Sequence, residues 1–127
     1  MTHAHAAIGQ TPYATDIAVN GRQLTADEPA ALGGKGAGFA PYDLLLASLA
    51  ACTAITLRMY ADHKGWPLAS LDIDLHLGGE GEQRHIRRVL RPVGVDAEQA
   101  ARLAAVAERT PVTLTLKAGI GIETTLA

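Results

Sequence analysis

The chain of 127 residues has one cysteine, five aromatic residues and no marked excess of either charge. A single cysteine excludes an internal disulfide, so the fold must be held by its core, and the chain suits a reducing compartment. Any disulfide would have to be intermolecular. An aromatic share of 4 % leaves Leu, Val, Ile and many alanines to fill that core, which favours closely approaching helices. With 11 basic and 13 acidic residues the formal charge is −2. That balance gives no overall pull toward nucleic acid or an anionic bilayer and turns attention to small molecules and self-association. The opening Met-Thr-His-Ala-His lacks the basic region and apolar run of a signal peptide. The longest uncharged apolar stretch, residues 44–57, falls short of a bilayer span. The expectation is a cytoplasmic protein without a membrane or nucleic-acid partner.

What is present is enough apolar surface, 48 % of residues, for one domain of ordinary size. Residues 1–11 have no periodicity and read as a flexible tail, leaving 12–127 as a single domain. Thr15, Ile17 and Val19 recur at period two, and Asn20-Gly21 supplies a two-residue hairpin turn with Arg22 just beyond it. Residues 27–40 hold four glycines and a proline, a loop of the length that is either functional or mobile. Pro41 suits the first position of a helix, and the run to about His63 has no glycine and no further proline. Tyr42, Leu44, Leu45, Leu46, Leu49, Ile55, Leu57 and Met59 cover nearly its whole circumference, the pattern of a central helix wrapped on all sides.

Beyond Gly65, Leu71, Ile73, Leu75 and Leu77 alternate with Ser70, Asp72, Asp74 and His76, a half-buried strand. Residues 84–91 read as its antiparallel partner, with arginines opposite Asp72 and Asp74. Asp96 and Gln99 form a capping-box start for a second helix that stops before Thr110-Pro111. Residues 111–116 support two readings: Val112, Leu114 and Leu116 alternate like a strand, whereas Thr110-Pro111 looks like an N-cap and first helical residue. Ile120, Ile122, Thr124 and Leu126 predict a closing strand. The order of hairpin, long helix, hairpin, helix and strand is that of an α+β fold with helices set against antiparallel sheet.

The segment Pro41-Tyr42-Asp43-Leu44-Leu45-Leu46-Ala47-Ser48-Leu49-Ala50-Ala51-Cys52-Thr53-Ala54-Ile55-Thr56 resembles the first-cysteine motif of the OsmC/Ohr family. Lys64-Gly65-Trp66-Pro67, the earlier Ala26-Asp27-Glu28-Pro29 with Gly33-Gly34, and the closing Ile120-Gly121-Ile122-Glu123-Thr124 follow in the family's order. The resemblance implies an intertwined homodimer in which sheets from both chains wrap two central helices. It also implies thiol-dependent reduction of organic hydroperoxides in stress and detoxification, with no cofactor beyond an external thiol reductant. The family's second motif resembles Cys-Pro-Val-His, and here it reads Thr110-Pro111-Val112-Thr113, so the resolving thiol is absent. Cys52 is then a one-cysteine site.

A cysteine within a helix is most often a small buried hydrophobe. Cys52 also lies about eleven residues past the start of its own helix, beyond reach of that dipole, so forming a thiolate requires a neighbouring cation. The resemblance implies an arginine near the first hairpin, for which Arg22 is the candidate, and a carboxylate near the helix start, for which Asp43 is the candidate. Nine helical residues separate Asp43 from Cys52 by roughly 13 Å and half a turn, so the two can meet only across a dimer. The plainer role of Asp43 is a favourable charge in the first helical turn. Ser48 and Thr56 flank Cys52 at i−4 and i+4, and Arg58 with Asp62 reads as an exposed pair. The alternatives to a peroxidase are a non-catalytic fold that binds a small apolar ligand at the dimer interface and, further off, a switch through a Cys52–Cys52 disulfide.

Overall fold

The computed structural model describes residues 2–127. The chain divides into two compact units, Met1–Leu45 and Leu46–Ala127. The first holds a three-stranded antiparallel sheet of β1 (Ala4–Ile8), β2 (Thr15–Val19) and β3 (Arg22–Ala26), in that order. The β2–β3 hairpin has the expected turn, with Asn20 at φ 47° and Gly21 at φ 81°, left-handed values that match the strand twist. The segment read as a flexible tail is instead strand β1, with Ala4 opposite Val19 and Ile8 opposite Thr15. Every residue of β1 is exposed, so backbone pairing forms this strand without a buried side-chain face. No period-two signal accompanies such a strand.

The glycine-rich loop after β3 is organised around Asp27, which is buried at 3 % exposure. Its carboxylate accepts backbone N–H bonds from Tyr13 (3.1 Å) and Glu28 (2.7 Å) through Oδ1, and from Lys35 (3.2 Å) and Ala37 (3.0 Å) through Oδ2. A Cβ on Gly34 would lie 2.0 Å from the Glu28 carbonyl and 2.6 Å from Asp27 Oδ1, so only glycine lets the loop close this tightly. The N–H of Ala37 leads those that hold the Asp27 carboxyl below its ordinary value of 3.8, against the opposing effect of burial.

α1 (Pro41–Lys64) spans the boundary between the units, and a single stripe of it, Leu49, Thr53, Leu57 and Ala61, is buried. Ile55 and Met59 on other faces are exposed, so the chain by itself covers less of this helix than its all-round apolarity predicts. Taken as a whole helix, α1 is long and apolar enough to cross a membrane, a measure that core helices of soluble proteins also meet. The rest of the second unit consists of β4 (Ser70–Gly78), β5 (His85–Val93), α2 (Ala97–Ala107) and α3 (Pro111–Ala118). β4 and β5 pair antiparallel with Asp72 opposite Arg91, and Arg91 bonds diagonally to Asp74. Leu57, Ala61, Leu68, Leu103 and Ala107 form the core, with Trp66, Leu71, Leu90 and Val106 packed against it.

α2 begins with the expected capping box, Gln99 N–H donating to Asp96 Oδ1 at 2.7 Å and Asp96 N–H to Gln99 Oε1 at 3.1 Å. Of the two readings for 111–116, the structure takes the helix, with Thr110 as N-cap and Pro111 at N1. Residues 119–127 form no strand, in contrast to the pattern of Ile120, Ile122 and Leu126, and Ile122 is 87 % exposed. These alternating residues pair with neither β4 nor β5.

A carboxyl depressed in the folded chain stabilises it above the unfolded value and loses that contribution as pH falls through the folded one. Asp27→Asn is therefore expected to lower the denaturation midpoint at pH 7, because an amide cannot accept from all four N–H groups. The gap from wild type should begin to narrow only below about pH 4. Chemical denaturation across pH checks both halves.

Candidate functional site

Cys52 lies on α1 in the second unit and is partly exposed. Next to it, Thr53 is fully buried and donates its hydroxyl to the Leu49 carbonyl at 2.7 Å. The sulfur has Thr56 Oγ1 at 3.9 Å, one of the two flanking hydroxyls expected. Its other neighbours come from the start of α3. Pro111 has no N–H to offer, so Val112 carries a free amide of that first turn, and this N–H acts to lower the Cys52 thiol. The Thr110 hydroxyl acts on the thiol in the same direction. The helix terminus that serves Cys52 thus belongs to α3, and reasoning about α1 alone does not find it.

The cation near Cys52 is Arg88. Its side chain is 12 % exposed on β5, where it takes the inward parity of Ile86 and Leu90. One terminal nitrogen, Nη1, donates to Thr53 Oγ1 at 2.9 Å and Thr113 Oγ1 at 3.0 Å. The other, Nη2, donates to the Ala107 carbonyl at 2.8 Å and to Glu108 Oε2 at 3.2 Å. Glu108 is also 3.6 Å from Lys117 Nζ. A largely buried guanidinium is tolerable only when its donors are met, and here four acceptors from α1, the end of α2 and the start of α3 meet its Nη protons.

Burial works to raise the Cys52 thiol, but the Val112 N–H, the hydroxyls of Thr56 and Thr110, and the charge of Arg88 outweigh it. The balance leaves the thiol below its ordinary value. Arg88 acts on the sulfur through space, since both Nη atoms are committed to other partners.

The arginine and carboxylate candidates of the sequence, Arg22 and Asp43, lie in the first unit. Arg22 is exposed at the start of β3. Asp43 is exposed in the first turn of α1 and accepts the Ala40 N–H at 3.0 Å, the helix-start role its position predicts. Glu108 is the carboxylate that bonds the arginine near Cys52. Sequence reasoning passed over Arg88 as one of several arginines facing Asp72 and Asp74, yet it has the parity of Ile86 and Leu90, and an arginine on the buried side of a strand is the signal that identifies it. Among the described residues no cluster of three His, Cys, Asp or Glu side chains is suited to a metal.

A family model described as OsmC-like protein matches residues 34–125. The chain belongs to the OsmC-like family. Solved structures share its mixed α+β architecture of small antiparallel sheets and helices. A Psychrobacter arcticus 273-4 protein named for osmotic stress induction and detoxification response superposes with a TM-score of 0.76 at 21 % identity, covering 91 % of this chain and 88 % of that one. An organic hydroperoxide resistance protein OsmC from Legionella pneumophila gives 0.70 at 23 %, covering 92 % and 89 %. A Vibrio cholerae protein named for organic hydroperoxide resistance, with captopril bound in one of its active sites, gives 0.69 at 21 %, covering 92 % and 84 %. At these identities the likeness establishes the fold. No curated protein matches the sequence. Thr110 and Thr113 bond to each other, and Thr113 also accepts from Arg88.

Replacing Arg88 with Met is expected to destabilise the fold by about 2–4 kcal/mol, because several charge-assisted bonds vanish together. Glu108→Gln, at an exposed position, is expected to change stability by less than about 1 kcal/mol. Denaturant titration of the two variants checks the contrast.

Proposed function

We propose that the protein reduces organic hydroperoxides, with Cys52 as its single peroxidatic thiol. The observation that carries the reading is a partly exposed thiol adjacent in sequence to Thr53, which accepts from the largely buried Arg88 guanidinium, with the Val112 N–H and the Arg88 charge favouring thiolate over thiol. The family and the two hydroperoxide-resistance relatives support the same substrate class. The thiolate attacks the terminal peroxide oxygen, the O–O bond breaks, and the departing alkoxide takes a proton to leave as an alcohol while Cys52 becomes a sulfenic acid. An external thiol condenses with the sulfenic acid, releasing water and leaving a mixed disulfide. A second thiol displaces Cys52 as thiolate and carries away the disulfide. No step needs a second cysteine in the chain, which suits Thr110 at that position.

The proposal includes a homodimer. Ala51, Ile55 and Met59 recur at i, i+4 and i+8 on α1 and are exposed, Met59 at 66 %. A second copy covering them gains about 1.5–3 kcal/mol for each large side chain buried. The unpaired alternation of Ile120, Ile122 and Leu126 fits the same purpose. Asp43 takes part in the chemistry only through such a second copy, since helix geometry sets it half a turn and roughly 13 Å from Cys52 of its own chain. Arg22 remains a candidate on the same terms. A catalytic thiol without a partner cysteine belongs in a reducing compartment, so the proposed location is the cytoplasm.

The alternative reading is a non-catalytic dimer that holds a small apolar ligand, favoured by the replacement of the second thiol by Thr110. An assay with tert-butyl hydroperoxide and dithiothreitol separates the two. Wild type should consume peroxide and Cys52→Ser should show only the background rate. Equal rates in both would leave the binding reading.

A further inference from the structure

The Lys64-Gly65-Trp66-Pro67 segment lies outside the chemistry proposed for Cys52, yet it closes α1 in a defined way. Gly65, at φ 69°, ends the helix in the left-handed conformation. Its N–H donates to the Asp62 carbonyl at 3.1 Å, and the Trp66 N–H donates to the Ala61 carbonyl at 2.9 Å. This reversal turns Trp66 back onto Tyr60, the two rings meeting edge to face with centroids 5.5 Å apart. Lys64 Nζ stands over the Tyr60 ring, 5.7 Å from its centroid. From α2, Arg102 donates Nε to the Tyr60 hydroxyl at 2.9 Å. Two cations from separate helices are thereby held to one phenol ring.

No carboxylate answers them. Arg58, Arg88, Arg91 and Lys117 each pair with an acid, whereas no ion pair among the described residues includes Lys64 or Arg102. Asp62, two residues before Lys64, bonds Arg58, and Glu98, one turn before Arg102 on α2, makes no ion pair with it. Arg102 also differs in how it is held. Arg58 and Arg88 commit both terminal nitrogens, but Arg102 is anchored by Nε alone at an exposed position, with Nη1 and Nη2 left to accept a ligand. The Arg102 bond, against the opposing effect of burial and with the charges of Arg102, Lys64 and Arg109, holds the Tyr60 phenol below its ordinary value.

We propose that Arg102 and Lys64, braced by Tyr60, form a binding site for a phosphate dianion, either the free ion or a small phosphate monoester. The planar fork of Arg102 takes two oxygens side by side and leaves a third for Lys64 Nζ on its flexible stem. A carboxylate has no third oxygen, so it satisfies the fork but not both cations. Tyr60 is a positioning residue: its hydroxyl accepts Arg102 Nε and fixes the guanidinium before the anion arrives. The site does not depend on the redox reading of Cys52.

Trp66 is the chain's only tryptophan and touches Tyr60, so its emission reports on this cluster. The test is a titration with inorganic phosphate at constant ionic strength, followed by Trp66 emission and by the phosphorus NMR line width of the ion. Wild type should saturate, and chloride should not reproduce the response. Arg102→Gln should weaken binding about tenfold or more, and Arg102→Lys, which keeps the charge without the fork, should not restore it. Tyr60→Phe, which keeps every cation, should weaken binding about three- to tenfold by releasing Arg102. Arg87→Gln, at an exposed cation on β5, should bind as wild type does. Acetate should bind more weakly than phosphate, and tighter binding of phenyl phosphate than of inorganic phosphate would identify the ligand as an ester. Absence of saturation by both readouts, wild-type affinity in Arg102→Lys or Tyr60→Phe, or equal losses in Arg87→Gln and Arg102→Gln overturns the site. Cys52→Ser should bind phosphate as wild type does, so the peroxide assay and this titration fail independently.

Discussion

The second unit depends on one buried positive charge. Arg88 stands on the inward side of β5 among Ile86 and Leu90, where an unpaired guanidinium would be strongly destabilising. Its four Nη bonds reach Thr53 on α1, Ala107 and Glu108 where α2 ends, and Thr113 on α3. Satisfying the charge therefore fixes where α3 begins. The Val112 N–H and the Thr110 hydroxyl at that start act to lower the Cys52 thiol. The same bonds that let the charge be buried build the surroundings of the thiol, so architecture and chemistry are not separable at this point.

Much of the frame was legible because it follows local rules. Asn20-Gly21 specified its turn, Pro41 its helix start, Asp96 with Gln99 its cap, and the alternation from Leu71 to Leu77 its strand, each through groups a few residues apart. The misses share a different cause. β1 is held by backbone pairing with no buried face, and the Asp27 carboxylate collects N–H groups from as far as Tyr13, which no local pattern announces. Residues 119–127 have the alternation of a strand but pair with neither β4 nor β5, because β pairing is decided by what lies alongside. In the segment from Pro111 the N-terminal signals prevailed over the alternation of Val112, Leu114 and Leu116.

At the site, Cys52 was legible as the only thiol on a long apolar helix, whereas its activating neighbours were not. The dipole argument concerned α1 alone and was silent about α3. Arg88 is 36 residues further along the chain, and it comes to the thiol through strand parity and long-range packing. The threonines at 110 and 113 read in the sequence as a loss of the family's second motif. In the structure they form a polar cluster with Arg88 in place of a second thiol.

The most direct measurement is a titration of the thiolate absorbance of wild-type Cys52, which reports on one group because the chain has one cysteine. The account predicts a midpoint clearly below the unperturbed thiol value of ~8.5. A midpoint at or above that value would mean that burial outweighs Arg88 and the α3 terminus, and would contradict the account at its centre.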